Sequence, residues 1–171
     1  VRHYRHAYKL HACNGILFNH EGEYRGKEVV TRKISSAVAR IKLGLQDHIE
    51  LGDLHPTRVW GYAGDYVEGM WLMLQQEKPD NYVLATGETY TVRDFIERCF
   101  AKVGKEIIWS GEGVNEIGRE KLTGKILVKI DEKYFRPCEV EFLLGDASKA
   151  ETELGWKREY DLDKLIEDMM K

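Results

Sequence analysis

The residues with the means to do chemistry fall in a few short stretches. In ACNGILFNHEGEYRG, which begins at Ala12, the apolar run Ile16-Leu17-Phe18 ends abruptly in Asn19, His20 and Glu21. A short apolar run bounded by turn formers reads as a strand buried on both faces, which puts these polar residues at its carboxyl end. In open α/β sheets that end faces the ligand crevice. Asn19 offers both a donor and an acceptor, suited to a diphosphate or a sugar hydroxyl. Arg58 in PTRVWG and Arg136 in YFRPCEV carry guanidiniums that can hold an anion through charge-assisted, often bidentate bonds, and Glu139 offers an acceptor. Thr31 and Lys33 in VTRKI open a helix, whose unpaired N–H groups and dipole attract anions. Each has an ordinary alternative: a turn-forming asparagine, a surface salt bridge, a plain cap followed by a solvated lysine.

Other groups carry less. His3 and His6 share a helical face at a spacing that can bind metal, but no carboxylate or third ligand completes the set, and no metal site is expected. Glu21 with Glu23, and Glu116 with Glu120, fall in polar stretches without the apolar surroundings that raise a carboxyl pKa for acid–base work. No catalytic residue is assigned in this chain. Cys13, Cys99 and Cys138 are widely spaced and odd in number, so they read as reduced residues that fill the core. Gly111, Gly113 and Gly118 have the wrong spacing for a dinucleotide-binding turn and no apolar helix after them, and read as a flexible loop.

The positioning elements follow from periodicity. VRHYRHAYKL looks helical from its first residue. TRKISSAVARIKLGL places Ile34, Ala37, Val38, Ile41 and Leu45 at helical spacing, with Thr31 as its cap. In DYVEGMWLMLQQ the apolar surface wraps more than one face, which predicts a largely buried helix. NYVLATG reads as a strand. TVRDFIERCFAKVG reads as a helix with a capping-box start at Thr91 and Asp94 and a stop at Gly104. EIIW and ILVKI read as strands, separated by a long mobile connection, SGEGVNEIGREKLTGK. Two helices close the chain, DASKAETELG and LDKLIEDMMK, the first ending at Gly155. Alternating strands and helices point to α/β architecture with at least part of a parallel sheet.

Length and charge exclude some classes. The chain of 171 residues suits one domain or part of a larger one, and its opening on Val1 suggests a fragment or a processed chain. A net charge of -3 with no basic stripe gives no reason to invoke nucleic acid. No apolar stretch is long enough for a membrane span, and no export signal is visible, so a cytoplasmic protein is expected.

An ordered series of stretches carries a resemblance. ACNGILFNHE, VTRKI, ARIKLGLQD, LGDLHPTRVWGYAGDYVEGMWLMLQQ, ATGETYTVRDF, YFRPCEVEFLLGDASKA and LGWKREYDLDKLIEDM resemble the carboxyl-terminal half of the GDP-mannose 4,6-dehydratases, extended short-chain dehydrogenases/reductases. The similarity covers almost the whole chain and weakens only between about Ser110 and Lys125. It implies the carboxyl-terminal part of an extended Rossmann-type fold: the last parallel strands plus a smaller mixed α/β substrate-binding domain. Residues 1–30 would end the cofactor-domain sheet with a substrate-facing loop, and residues 31–171 would form the nucleotide-sugar-binding region. The family's glycine-rich NADP turn and catalytic Tyr-Lys pair are absent from this chain.

The resemblance implies a lyase that converts GDP-mannose to GDP-4-keto-6-deoxymannose with NADP, a precursor of GDP-fucose, with this chain holding the nucleotide-sugar. It matches Asn19 to a substrate contact, and His20 and Arg25 to NADP contacts. The chain departs from the family where Arg-Asp-Trp becomes Arg58-Val59-Trp60, and where Cys138 follows Arg136-Pro137. Two alternatives stay open: a non-catalytic nucleotide-sugar-binding or regulatory module, and another extended short-chain dehydrogenase such as a sugar-nucleotide epimerase or reductase. Family members are usually dimers or tetramers. An isolated chain, its sheet edge unpaired, is expected to self-associate or to join the missing half.

Overall fold

The computed structural model describes residues 1–135 and 142–171. Its elements are, in order, α1 (Arg2–Tyr8), β1 (Asn14–Leu17), β2 (His20–Glu21), α2 (Val30–Lys42), β3 (Ile49–Leu51), β4 (Thr57–Arg58), β5 (Gly61–Tyr62) and α3 (Ala63–Leu74). There follow β6 (Asn81–Leu84), β7 (Tyr90–Thr91), α4 (Val92–Lys102), β8 (Ile107–Ser110), β9 (Ile117–Glu120), β10 (Ile126–Ile130), α5 (Ser148–Leu154) and α6 (Leu162–Met169). Short 3-10 turns occupy Gly113–Asn115 and Glu132–Tyr134. Among the described residues no helix is long and apolar enough to cross a membrane.

The chain forms two compact units, one of Val1–Gly22, Val59–Thr89 and Leu143–Leu165, the other of Glu23–Arg58, Tyr90–Phe142 and Ile166–Lys171. In the first unit β1 and β6 pair in parallel, from Asn14 opposite Asn81 to Leu17 opposite Leu84. Side chains alternate across a strand, so Tyr82 and Leu84 share one face. There they join Tyr66 and Met73 of α3, Ala150 and Leu154 of α5, and Trp156 in a buried cluster. The Trp156 indole N–H donates to the Asp65 carbonyl at 2.7 Å. The Asp65 carboxylate accepts from the backbone N–H groups of Glu159 and Tyr160, so the loop after α5 is fastened to the start of α3. Gly155 closes α5 at φ 66°, a left-handed conformation that glycine adopts without steric cost. At the other end Arg5 anchors α1, donating to the Ala12 carbonyl and to Asn81 Oδ1.

Two expectations for this unit need correction. The strand β1 is not buried on both faces: Ile16 is 52% exposed, because among the described residues β1 has only β6 beside it. Nor is α3 buried all round. Asp65, Tyr66, Gly69 and Met73 face the cluster, whereas Val67, Met70, Trp71 and Leu74 are exposed. The apolar residues on its outer side need a cover that the described residues do not supply.

In the second unit a mixed sheet runs β3-β10-β9-β8, with β3 parallel to β10 and the other pairs antiparallel. The connection expected to be mobile between Ser110 and Lys125 therefore contains an inner strand. IGRE has one large apolar residue and no alternation to reveal it; pairing on both sides holds β9 in place. Helices α2 and α4 pack against each other, burying Ile34, Val38 and Ile41 from α2 and Phe95, Ile96 and Cys99 from α4. The capping box at Thr91 and Asp94 is formed. The cap expected at Thr31 is not. Val29 occupies the N-cap of α2, and Thr31 lies inside the first turn, fully buried.

Candidate functional site

The carboxyl ends of β1 and β6 lie together, with the Phe18 N–H donating to the Leu84 carbonyl. The chain leaves this end through Asn19 into β2, where a ligand crevice is expected in an open parallel sheet. The Asn19 side chain is exposed, and its carbonyl accepts from the Gly61 N–H at 3.0 Å. Strand β2 continues in parallel with β5, His20 opposite Gly61.

The His20 ring is fixed from two directions. Its Nδ1 lies 2.9 Å from the Phe18 carbonyl, and since a carbonyl can only accept, Nδ1 carries the hydrogen. In the neutral ring Nε2 is then the acceptor, suited to a ligand hydroxyl; the protonated ring offers a second donor, suited to phosphate. On one side the ring packs against Tyr66, centroids 5.2 Å apart. Tyr66 is 1% exposed, burial pushes its phenol up, and among the described residues its hydroxyl has no hydrogen-bond partner. Gly61 makes room for it: a Cβ there would run into the Tyr66 ring. Neither Tyr66 nor Gly61 stood out in the sequence, where the tyrosine is one apolar residue in a helical pattern.

The second unit holds the basic candidates. Lys33 lies on α2, its ammonium donating to the Glu50 carbonyl at 2.6 Å and resting 3.7 Å from the Tyr134 ring centroid. Burial lowers its pKa, against the upward pull of the Glu50 carboxylate. Lys33 thus joins α2 to β3 and is not the solvated lysine of the bland alternative. Arg58 lies on β4, which pairs with β7, Arg58 opposite Tyr90, and its Nη1 donates to the Thr57 carbonyl at 2.7 Å. Arg25, in the loop before α2, is half-buried. Arg136, Glu139 and Cys138 lie outside the described residues.

The acidic pairs differ from expectation. Glu21, Glu116 and Glu120 are all buried. Glu120 is on β9, its carboxylate held low by hydrogen bonds from Lys105 and Thr123. Glu116 is paired with Arg93 and, at 3.4 Å, with His55. Glu116 and Glu120 are structural anions, engaged within their own unit. Of the cysteines, Cys99 is buried, which pushes its thiol up and leaves it unreactive, while half-buried Cys13 donates to the Met73 carbonyl.

A nicotinamide dinucleotide needs backbone N–H groups at a glycine-turned helix start for its pyrophosphate. The glycines that come nearest do not form such a turn: Gly111 follows β8, Gly113 starts a 3-10 turn and Gly118 is in β9.

A profile described as GDP-mannose 4,6 dehydratase matches residues 1–169. This chain belongs to the GDP-mannose 4,6-dehydratase family. The GDP-mannose 4,6 dehydratase of Drosophila melanogaster is 53% identical over 171 residues, all of this chain and 43% of that protein. The Homo sapiens enzyme is 52% identical over 170 residues, 99% of this chain and 46% of that protein. The chain therefore spans less than half the length of these dehydratases. Among solved structures, RMD from Pseudomonas aeruginosa complexed with NADPH superposes with a TM-score of 0.79 at 18% identity, covering 98% of this chain and 50% of that one. The Thermus thermophilus UDP-glucose 4-epimerase in complex with NAD gives 0.71 at 18% identity, covering 99% and 48%. These likenesses concern the fold alone, which the chain shares with about half of each of those two proteins.

Proposed function

We propose that this chain is the substrate-binding part of a GDP-mannose 4,6-dehydratase and takes GDP-mannose as its ligand. The observation that carries this is identity of 52–53% with enzymes of that name over essentially every residue of the chain. Asn19, Thr31, Lys33, Arg58, Arg136 and Glu139 are the proposed substrate contacts, the arginines taking the diphosphate. Thr31 is the weakest of these, since its buried side chain leaves mainly its place near the start of α2 to offer. His20 and Arg25 are the proposed contacts to a nicotinamide cofactor, NADP by the family resemblance. That solved relatives of the fold bind NADPH and NAD supports the cofactor class. By itself the chain should bind the sugar nucleotide without turning it over, since it contains neither the Tyr-Lys pair nor the glycine-rich turn.

Calorimetric titration of the chain with GDP-mannose, with UDP-glucose as control, tests the reading. Selective heat is expected, with affinity falling about tenfold or more in Arg58→Ala and in Arg136→Ala, the size of one lost charge-assisted bond. Equal heats for both sugars, or variants that bind as well as the parent, would overturn it.

A further inference from the structure

We infer that Tyr134 is a positioning residue for Lys33: its ring holds the Lys33 ammonium in place without neutralising it, and so reserves that charge for an anionic ligand. For the identity of the ligand this rests on the proposed binding of GDP-mannose; the contact itself rests on the geometry of the second unit. Lys33 is half-buried on α2, and a lysine ammonium has three N–H donors to satisfy. Among the described residues it meets one hydrogen-bond acceptor, the Glu50 carbonyl at 2.6 Å, and no carboxylate at ion-pair distance. The acids nearby are engaged elsewhere. Glu50 Oε2 lies 2.9 Å from the Lys133 ammonium and Oε1 lies 3.4 Å from His48 Nε2, while Asp131 Oδ2 is 2.6 Å from Lys133. What faces Lys33 instead is the Tyr134 ring, its centroid 3.7 Å from the ammonium. An aromatic face attracts a cation through its quadrupole and carries no net charge. Lys33 is therefore held, keeps its full charge, and has an N–H left to donate.

The ring is itself fixed. Tyr134 ends the 3-10 turn Glu132–Tyr134, whose start is capped by the Asp131 carboxylate accepting from the Lys133 backbone N–H at 3.0 Å. The Asp131 N–H ties the turn to β3, donating to the Leu51 carbonyl at 2.9 Å. Gly52, just beyond β3, lets the chain pass close by: a Cβ there would run into the Tyr134 carbonyl. Lys133 also lies near the ring, 4.6 Å from its centroid, but with two carboxylates of its own it has no charge to spare. The Tyr134 hydroxyl makes no hydrogen bond among the described residues, so the ring and not the hydroxyl is the working part.

Variants of the 171-residue chain test it. Tyr134 is 43% exposed, so Tyr134→Phe and Tyr134→Leu should both fold, which circular dichroism checks. In the NMR spectrum of lysine-labelled chain, the Lys33 ε-methylene protons, assigned by their loss in Lys33→Met, should be shifted upfield by the ring current. The shift should persist in Tyr134→Phe and vanish in Tyr134→Leu. Calorimetry with GDP-mannose should show unchanged affinity in Tyr134→Phe and about tenfold weaker binding in Tyr134→Leu. In a chain already carrying Lys33→Met, adding Tyr134→Leu should weaken binding no further, because the two side chains act as one unit. The inference is overturned if Lys33 is unshifted in the parent, or if its shift survives in Tyr134→Leu. It is equally overturned if Tyr134→Phe binds as weakly as Tyr134→Leu, or if Tyr134→Leu weakens binding by the same factor with and without Lys33. Should the parent give no heat with GDP-mannose, the proposed function fails, and the ring-current comparison alone decides for or against the hold of Tyr134 on Lys33.

Discussion

At the scale of single residues, burial decides role more than residue type does. Glu116 and Glu120 have the chemistry of acid–base groups, yet each is buried against cations of its own unit. Asp65 shows the opposite balance. It accepts two backbone N–H groups, and burial nevertheless raises its carboxyl pKa. Removing the acceptor in Asp65→Ala should cost about 1–3 kcal/mol in urea unfolding, because two N–H groups lose their partner. Asp65→Asn keeps an acceptor oxygen and discards the desolvated charge, so near neutrality it should cost much less than the alanine variant. With the folded pKa raised, the folded state holds the proton more tightly, and the parent gains stability as pH falls toward and below the ordinary carboxylate range. The asparagine variant lacks that gain. Its unfolding free energy relative to the parent should therefore fall on acidification from neutrality toward the ordinary carboxylate range; a constant difference would refute the assignment.

At the scale of elements, local signals succeeded where they are chemically self-contained. The Thr91–Asp94 box starts α4 because both partners lie within one turn. Thr91→Ala should cost about 1 kcal/mol, read from the denaturation midpoint. The same logic failed for Thr31, which looked like a cap and is buried within the first turn of α2. Tertiary packing took the threonine, and the extended Val29 begins the helix. The β2–β5 pair depends on a long-range fit that no spacing reveals. Gly61→Ala would press a methyl group into the Tyr66 ring and disturb the His20 contact. A loss of about 1–3 kcal/mol is expected from this overpacking, with a displaced His20 ring signal in the NMR spectrum. An unperturbed His20 signal would show that the ring is not held by Tyr66.

At the scale of the whole molecule, the proposed function separates ligand binding from catalysis. A ligand that binds only the folded state raises stability by RT ln(1 + [L]/Kd), about 2.7 kcal/mol at a hundredfold excess over Kd. GDP-mannose at that excess should therefore raise the thermal midpoint of the chain, and UDP-glucose at the same concentration should not. The same sample, supplied with NADP, should form no keto-sugar detectable by mass spectrometry. Keto-sugar formed by the chain alone would mean that the hydride chemistry has groups here that neither sequence nor structure identifies.

The sequence by itself determined the family, because an ordered run of similar stretches needs no geometry to be recognised. It also determined the helices and the strongly apolar strands, whose periodicity is a local property of the chain. The placement of Asn19 and His20 at the carboxyl end of a parallel strand followed from the same local pattern. Tertiary structure alone decided what covers each element. Among the described residues one apolar helix, α3, is buried on one side only, and one apolar strand, β1, has a single neighbour. Conversely, the polar segment Ile117–Glu120 became an inner strand. It likewise decided that Lys33 rests against the Tyr134 ring and that Tyr66 holds the ring of His20. The physical reason is common to all of these. Burial and hydrogen-bond partners come from residues distant in the chain, and a pattern confined to one stretch carries no record of them.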